Sequence, residues 1–219
     1  MKLVNVDLAV IAQATGDTLV MLAAALLLTV MLGLPLGVAL YATSRGRLLQ
    51  NRAVNATLAL LVNLLRSLPF IILLIVMLPV TVALVGTSLG VLGAIPPLVA
   101  GAAPFYARLV ETALREVDKG VVEATQAMGG SHWQIITRVL LPEARPGLVA
   151  GATVTAVALI GYTAMAGVVG AGGLGDLAIR FGYQRFQTDV MVVTVVLLLV
   201  IVQLLQMLGD RWVARLSHH

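Results

Sequence analysis

The residues able to do chemistry in this chain are few, and their spacing excludes most of the chemistry they could do. No cysteine occurs, so a thiolate nucleophile, a disulfide and a Cys-ligated metal are excluded. Of the three histidines, His132 stands alone, and one isolated imidazole makes a poor metal site. The terminal His218-His219 pair is given no role. The ten acidic residues are scattered, with no carboxylate pair for general acid–base work, and no serine–histidine–carboxylate set is visible. No G-x-x-x-x-G-K-[ST] loop is present to cradle a nucleotide phosphate. Gly170-Ala171-Gly172-Gly173-Leu174-Gly175 fits G-x-G-x-x-G in letters only. A dinucleotide site needs a strand before that run, and here a long apolar stretch precedes it, so a tight loop turn is expected instead. No catalytic residue, cofactor or metal is expected, and the chain is read as a non-enzyme.

The elements that must carry these residues are membrane helices. The chain is 60% hydrophobic and only 11% charged, with a mean hydropathy of +1.03. Soluble domains are closer to half apolar and a quarter charged. Crossing the hydrocarbon core takes about 20 apolar residues, and the gaps between charges supply five such stretches. They predict spans over about 18–40, 56–84, 89–109, 146–168 and 190–209, with a turn at Gly86-Thr87-Ser88 and Gly90 separating the second from the third. The fold class is therefore all-α and polytopic, one domain over 1–219. With Lys2 as its sole early base and Asp7 and Asp17 following, the N-terminal region does not read as a secretory signal, so the first apolar run is expected to remain as a span.

The basic residues flank the apolar stretches instead of forming one patch, which speaks for orientation signals and against nucleic acid. One side collects Arg45, Arg47, Arg52, Arg108, Arg115, Lys119, Arg138, Arg145, Arg211 and Arg215; the other holds Lys2, Arg180 and Arg185. The richer side is expected to be cytoplasmic, which puts the N-terminus outside and the C-terminus inside. The glycine-rich run then falls on the outer side. The longest connection, roughly 108–145, becomes a cytoplasmic loop suited to contact a partner. Arg66 is left out of that count. It either lies in a pathway through the membrane, where charge is expensive and functional, or snorkels to the cytoplasmic interface.

Within the long loop stand Glu123-Ala124-Thr125, then Gly129, then Val139, and Leu141-Pro142. A short helix over about 121–130 fits this stretch, closed by Gly129-Gly130. Ala124 and Ala127 would admit close approach of a partner, and Glu123 near the helix start would suit the dipole or a basic group on the partner. The pattern resembles the E-A-A loop of type-1 permeases of ATP-binding-cassette (ABC) importers, with Thr125 and Val139 as its two departures. Further stretches resemble the methionine-importer permeases of that class: Arg66-Ser67-Leu68-Pro69-Phe70, Ala103-Pro104-Phe105 with Arg108 and Glu111, Gly161-Tyr162-Thr163-Ala164-Met165, and the glycine run.

The resemblance implies a type-1 importer permease fold in the bacterial cytoplasmic (inner) membrane. It implies two copies of this chain with two ATPase subunits, an external substrate-binding protein or lipoprotein, and methionine as the small-molecule substrate. Coupling to the ATPase then falls to Glu123, Ala124, Thr125, Ala127, Met128 and Gly129. A gate or pathway falls to Tyr162, Met165, Pro69 and Arg66, and Pro104 in the third span is a further candidate for lining it. His132 is followed by Trp133, which suits either a partner surface or packing under the loop. Gly33 and Gly37 have the G-x-x-x-G spacing of close helix pairs, and packing within the chain explains it more simply than a dimer seam. The same architecture carrying another amino acid or small solute is the main alternative. An ion-coupled transporter fits poorly, because every acidic residue falls at a span end or in a loop.

Overall fold

The computed structural model describes residues 7–216; Lys2 and His218-His219 lie outside them. Among the described residues the elements are helices only. α1 (Leu8–Thr43) opens on Asp7, whose carboxylate accepts the Ala9 N–H at 3.0 Å. Its 36 residues span about 54 Å, well beyond the roughly 30 Å hydrocarbon core, so it extends past the expected 18–40. α2 (Arg52–Ser67), α3 (Phe70–Val85) and α4 (Gly90–Glu116) follow. A loop region contains α5 (Lys119–Ala127), α6 (His132–Ile135), a π-helical turn (Ile136–Leu140) and α7 (Leu141–Glu143). α8 (Arg145–Ala166), α9 (Gly173–Leu177) and α10 (Thr188–Leu216) complete the chain.

α4 is the central element, packed against α1, α2, α3 and α8. Its contact with α1 depends on two glycines. A Cβ on Gly33 would stand 2.9 Å from the Ala103 carbonyl oxygen and from Tyr106 Cδ1; one on Gly37 would stand 2.5 Å from the Ala107 oxygen and Val110 Cβ. The G-x-x-x-G spacing thus serves packing within the chain. Lipid offers apolar side chains no worse a surrounding than another helix does, so close backbone approach and dispersion hold this pair. The two helices run parallel: Gly33 meets Ala103, and one turn on Gly37 meets Ala107.

The second expected span, 56–84, is not one helix. α2 and α3 meet at 110° across Leu68-Pro69. The cause is local, since a proline disfavours helical backbone in the residue before it, and Leu68 is extended at φ −79°, ψ 130°. The broken pair still carries the chain from one end of the helical body to the other. Because α1 and α4 are parallel, the chain must return from the Thr43 end to the Gly90 end between them, and only α2 and α3 lie there. At that far end, Gly86 closes α3 in the left-handed region, the Gly90 N–H donates to the Gly170 carbonyl at 3.0 Å, and Leu174 N–H donates to Thr18 Oγ1 at 2.8 Å. The glycine-rich run is a turn folded back on α8, preceded by helix and not by a strand.

Gly37→Leu is expected to destabilise the detergent-solubilised protein by about 1–3 kcal/mol through overpacking against α4. Gly16→Ala, where a Cβ meets nothing within 4 Å, leaves the thermal midpoint unchanged or slightly raised. Thermal unfolding of the two variants side by side checks the contact.

Candidate functional site: the coupling loop and the membrane cleft

The loop beyond α4 is held by its buried side chains. Val122, Ile135, Ile136 and Leu140 join Tyr41 of α1, Val110 and Leu114 of α4 and Val117 just beyond it in one apolar cluster. α5 begins at Lys119, two residues before the expected start, because the Asp118 carboxylate caps it by accepting the Gly120 N–H. It ends at Ala127, three residues earlier than expected. The Met128 N–H donates to Ala124 O at 3.1 Å, the Gly129 N–H to Gln126 O at 2.9 Å and the Gly130 N–H to Thr125 O at 3.0 Å. Gly129 sits at φ +80°, a conformation that side-chain-bearing residues avoid. Ser131 and Gln134 then form a reciprocal capping box that starts α6.

With Lys119 as the first helical residue, Glu123 lies in the second turn of α5, and the expected dipole role at the helix start does not apply. Instead Glu123 borders a polar cavity of about 540 Å³ between α5 and the loop after α1, which also receives Arg45, Arg47, Arg115 and Lys119. Ala124, Ala127 and Gly129 are exposed, and Thr125 is half-buried. Met128 and Trp133 are 80% and 73% exposed, so Trp133 faces outward from the loop instead of packing beneath it. Only Val122 of α5 is buried. The loop therefore presents small residues flanked by two large apolar side chains, on a support continuous with α1 and α4.

A charged cluster marks the same end of α4. Glu111, 6% exposed, receives Arg108 and Arg115 on its two oxygens, each at 2.6 Å, and Arg108 also donates to Asn63 Oδ1 of α2 at 2.9 Å. The cluster joins α2 to α4. Its i, i+3 and i, i+4 spacing was a readable signal for the two ion pairs, although the sequence does not disclose the reach to α2.

The second feature is a cleft of about 240 Å³ beside the α2–α3 break. Arg66, Leu65, Leu68, Phe70, Leu73, Gly101, Phe105 and Tyr162 line it. Gly101 is eleven residues from the start of α4 and seven from Arg108 of the charged cluster, roughly 16 and 10 Å along the axis, so the cleft lies nearer the charged end of α4. The Phe70 and Tyr162 rings stack at 4.4 Å, and the Arg66 guanidinium stands 5.9 Å from the Phe105 ring centre. Arg66 is exposed and stands one turn of α2 beyond Asn63, which the Arg108 guanidinium reaches. Of the expected pathway residues, the structure brings Arg66 and Tyr162 to one cavity. Pro69 stands at the break, between two lining residues, as the N-cap of α3. Met165, 48% exposed, is three residues beyond Tyr162 and does not line the cleft. Pro104 is buried in α4.

Comparison with known proteins fits this geometry. The chain is similar to the methionine import system permease protein of Bacillus subtilis, 53% identical over 206 residues, covering 94% of this chain and 93% of the relative. It is also similar to the probable D-methionine transport system permease protein of Vibrio cholerae, 50% identical over 205 residues, covering 94% and 91%. Among solved structures, an inward-facing methionine ABC transporter chain superposes with a TM-score of 0.95 at 45% identity, covering 96% of this chain and 98% of that one. An amino acid ABC transporter at 14% identity shares the fold, with a TM-score of 0.78. Residues 30–218 match the family described as the binding-protein-dependent transport system inner membrane component. This chain belongs to that family, and is a multi-pass inner-membrane permease whose ATP-hydrolysing partner is a separate subunit.

Proposed function

We propose that this chain is the membrane-spanning subunit of an ATP-driven methionine importer. Two copies surround the translocation path, two ATPase subunits dock on their α5–α6 loops, and an external binding protein delivers methionine. The observation that carries the reading is the loop itself: Glu123 to Gly129 stand outside the helical body, yet Val122, Ile135 and Leu140 root the loop in the cluster that holds α1 and α4. A partner that moves this loop moves the spans with it. The relatives' names support methionine as the substrate, and the absence of a phosphate-binding loop fits energy supplied by another chain.

The loop faces the cytoplasm in this reading, with the N-terminus outside and the C-terminus inside. The described residues support it: ten Lys and Arg side chains flank the spans at the coupling end (Arg45, Arg47, Arg52, Arg108, Arg115, Lys119, Arg138, Arg145, Arg211, Arg215), against Arg180 and Arg185 at the other. Transport proceeds by alternating access. ATP-driven closure of the ATPase pair draws the two coupling loops together and opens the path outward; release reverses it. Tyr162 and Met165 of α8, Pro69 at the break and Arg66 belong to the path or its gate.

Labelled methionine uptake, in cells lacking their own methionine importers and given this chain with its ATPase and binding protein, tests the function. Accumulation that unlabelled methionine competes, and that stops when the ATPase is inactivated, is expected. Co-purification of the ATPase without any accumulation would overturn the substrate. Ala124→Trp enlarges the exposed face of α5 without touching its buried side. It is expected to leave the permease folded and to cut ATPase co-purification by about tenfold or more, the order that loss of one well-packed contact brings. Undiminished co-purification would contradict docking at this face.

A further inference from the structure

We propose that the groove between α8 and α10 binds an anionic phospholipid, with one acyl chain in the groove and the headgroup phosphate held by arginines at its mouth. The site rests on the chain's place in the inner membrane and not on its substrate. Val149, Ala152 and Ala156 of α8 and Leu205, Leu208 and Trp212 of α10 form the walls, and Leu26 of α1 completes them. Thr153 and Gly209 form the floor, where a Cβ on Gly209 would collide with Thr153. The groove holds about 220 Å³. At the scale on which roughly 150 Å³ admits benzene, that is room for about nine carbon atoms of a chain.

Both walls lead from an apolar depth to a basic mouth. α8 leaves the coupling loop and α10 returns to that end, so the first turn of one and the last turn of the other lie at the same end of the body. On α8, Arg145 precedes Val149 by four residues and continues its stripe; on α10, Arg215 follows Trp212 by three and continues the other. Arg145 to Ala156 is eleven residues and Leu205 to Arg215 is ten, roughly 16 and 15 Å along the axes. Half of the hydrocarbon core is about 15 Å, so the groove has the depth of one leaflet. The ion pairs among the described residues use Arg108, Arg115 and Arg180, which leaves the exposed Arg145, Arg211 and Arg215 for an outside anion. A phosphate accepts parallel N–H bonds from such groups, and basic pockets between membrane helices on the cytoplasmic side suit anionic headgroups. Trp212, exposed where the apolar wall meets the arginines, stands at the level that indole rings favour in a bilayer. The opposite side of the same helix pair carries Gln206 and Asp210, so the anion is drawn to this side.

The test uses the permease assembled with its ATPase in phosphatidylethanolamine vesicles. These carry a trace of phosphatidylglycerol or phosphatidylcholine with a diazirine in one acyl chain, and mass spectrometry locates the label. Phosphatidylglycerol is expected to label residues 149–156 and 205–212 about tenfold or more above phosphatidylcholine, the scale of two basic residues at an anionic headgroup. Arg145→Gln with Arg215→Gln is expected to bring the two probes to near equality, and Arg145→Lys with Arg215→Lys to keep the preference. If the double glutamine variant fails to assemble, Arg145→Gln alone is expected to give an intermediate preference. Equal labelling by both probes in the wild type, or a preference that the glutamine variants leave unaltered, would overturn the site. So would a groove that takes no label, the result expected if a helix of a second copy or the ATPase fills it. Substrate does not enter the readout, so each of these failures leaves the methionine reading standing.

Discussion

The approach of α1 to α4 at Gly33 and Gly37 is the constraint on which the rest of the molecule depends. A membrane helix gains little by exchanging lipid for an apolar neighbour, so this pair relies on missing side chains to bring backbone against side chain over a full turn. The contact fixes the two helices as parallel, and the parallel arrangement in turn requires α2 and α3 to carry the chain back across the layer. α4 then presents its remaining faces to α2, α3 and α8. The cleft forms where α4 passes the break, because Gly101 leaves room there against Phe70 and Leu73.

The same helix ties the loop to the interior. Its final turns contribute Val110 and Leu114, and the residue after it Val117, to the cluster that receives Val122 and the buried residues of α6 and the π-helical turn. Glu111, buried between Arg108 and Arg115, joins α2 to this end. Removing either partner of such a buried set would leave an uncompensated charge, so the set specifies one arrangement of α2 against α4. A loop of short helices, which alone would be marginal in water, thereby becomes an extension of the spans.

Much of this was legible in the sequence. Charge-free stretches marked the long helices, apart from the second, which is broken, and the spacing from Glu123 through Gly129 to Pro142 marked the loop that contains α5, α6 and α7. The misplaced details have identifiable causes. Pro69 in an apolar run reads equally well as a kink or a break; it ends helical backbone at Leu68, and the local pattern does not state the size of the 110° bend. The start of α5 was missed because Asp118 as a cap outweighs Lys119 as a poor first residue, and with that shift the dipole argument for Glu123 was lost. Arg66 left two readings open, since its neighbours, Phe105 among them, come from α4 and are not contained in the local sequence. Met165 lies one turn from Tyr162 in sequence, but the cleft wall ends at the Phe70–Tyr162 stack.

The central claim is that the coupling loop and the helical body of one protomer move as a unit. Spin labels on Ala127→Cys in α5 and Leu92→Cys near the far end of α4, both exposed, would report on it in a complete importer with one labelled protomer. The distance between them should be the same without nucleotide and with ATP trapped, while labels at position 127 of the two protomers approach each other. A change within the single protomer as large as that between protomers would show that the loop bends on its own, and would contradict the account.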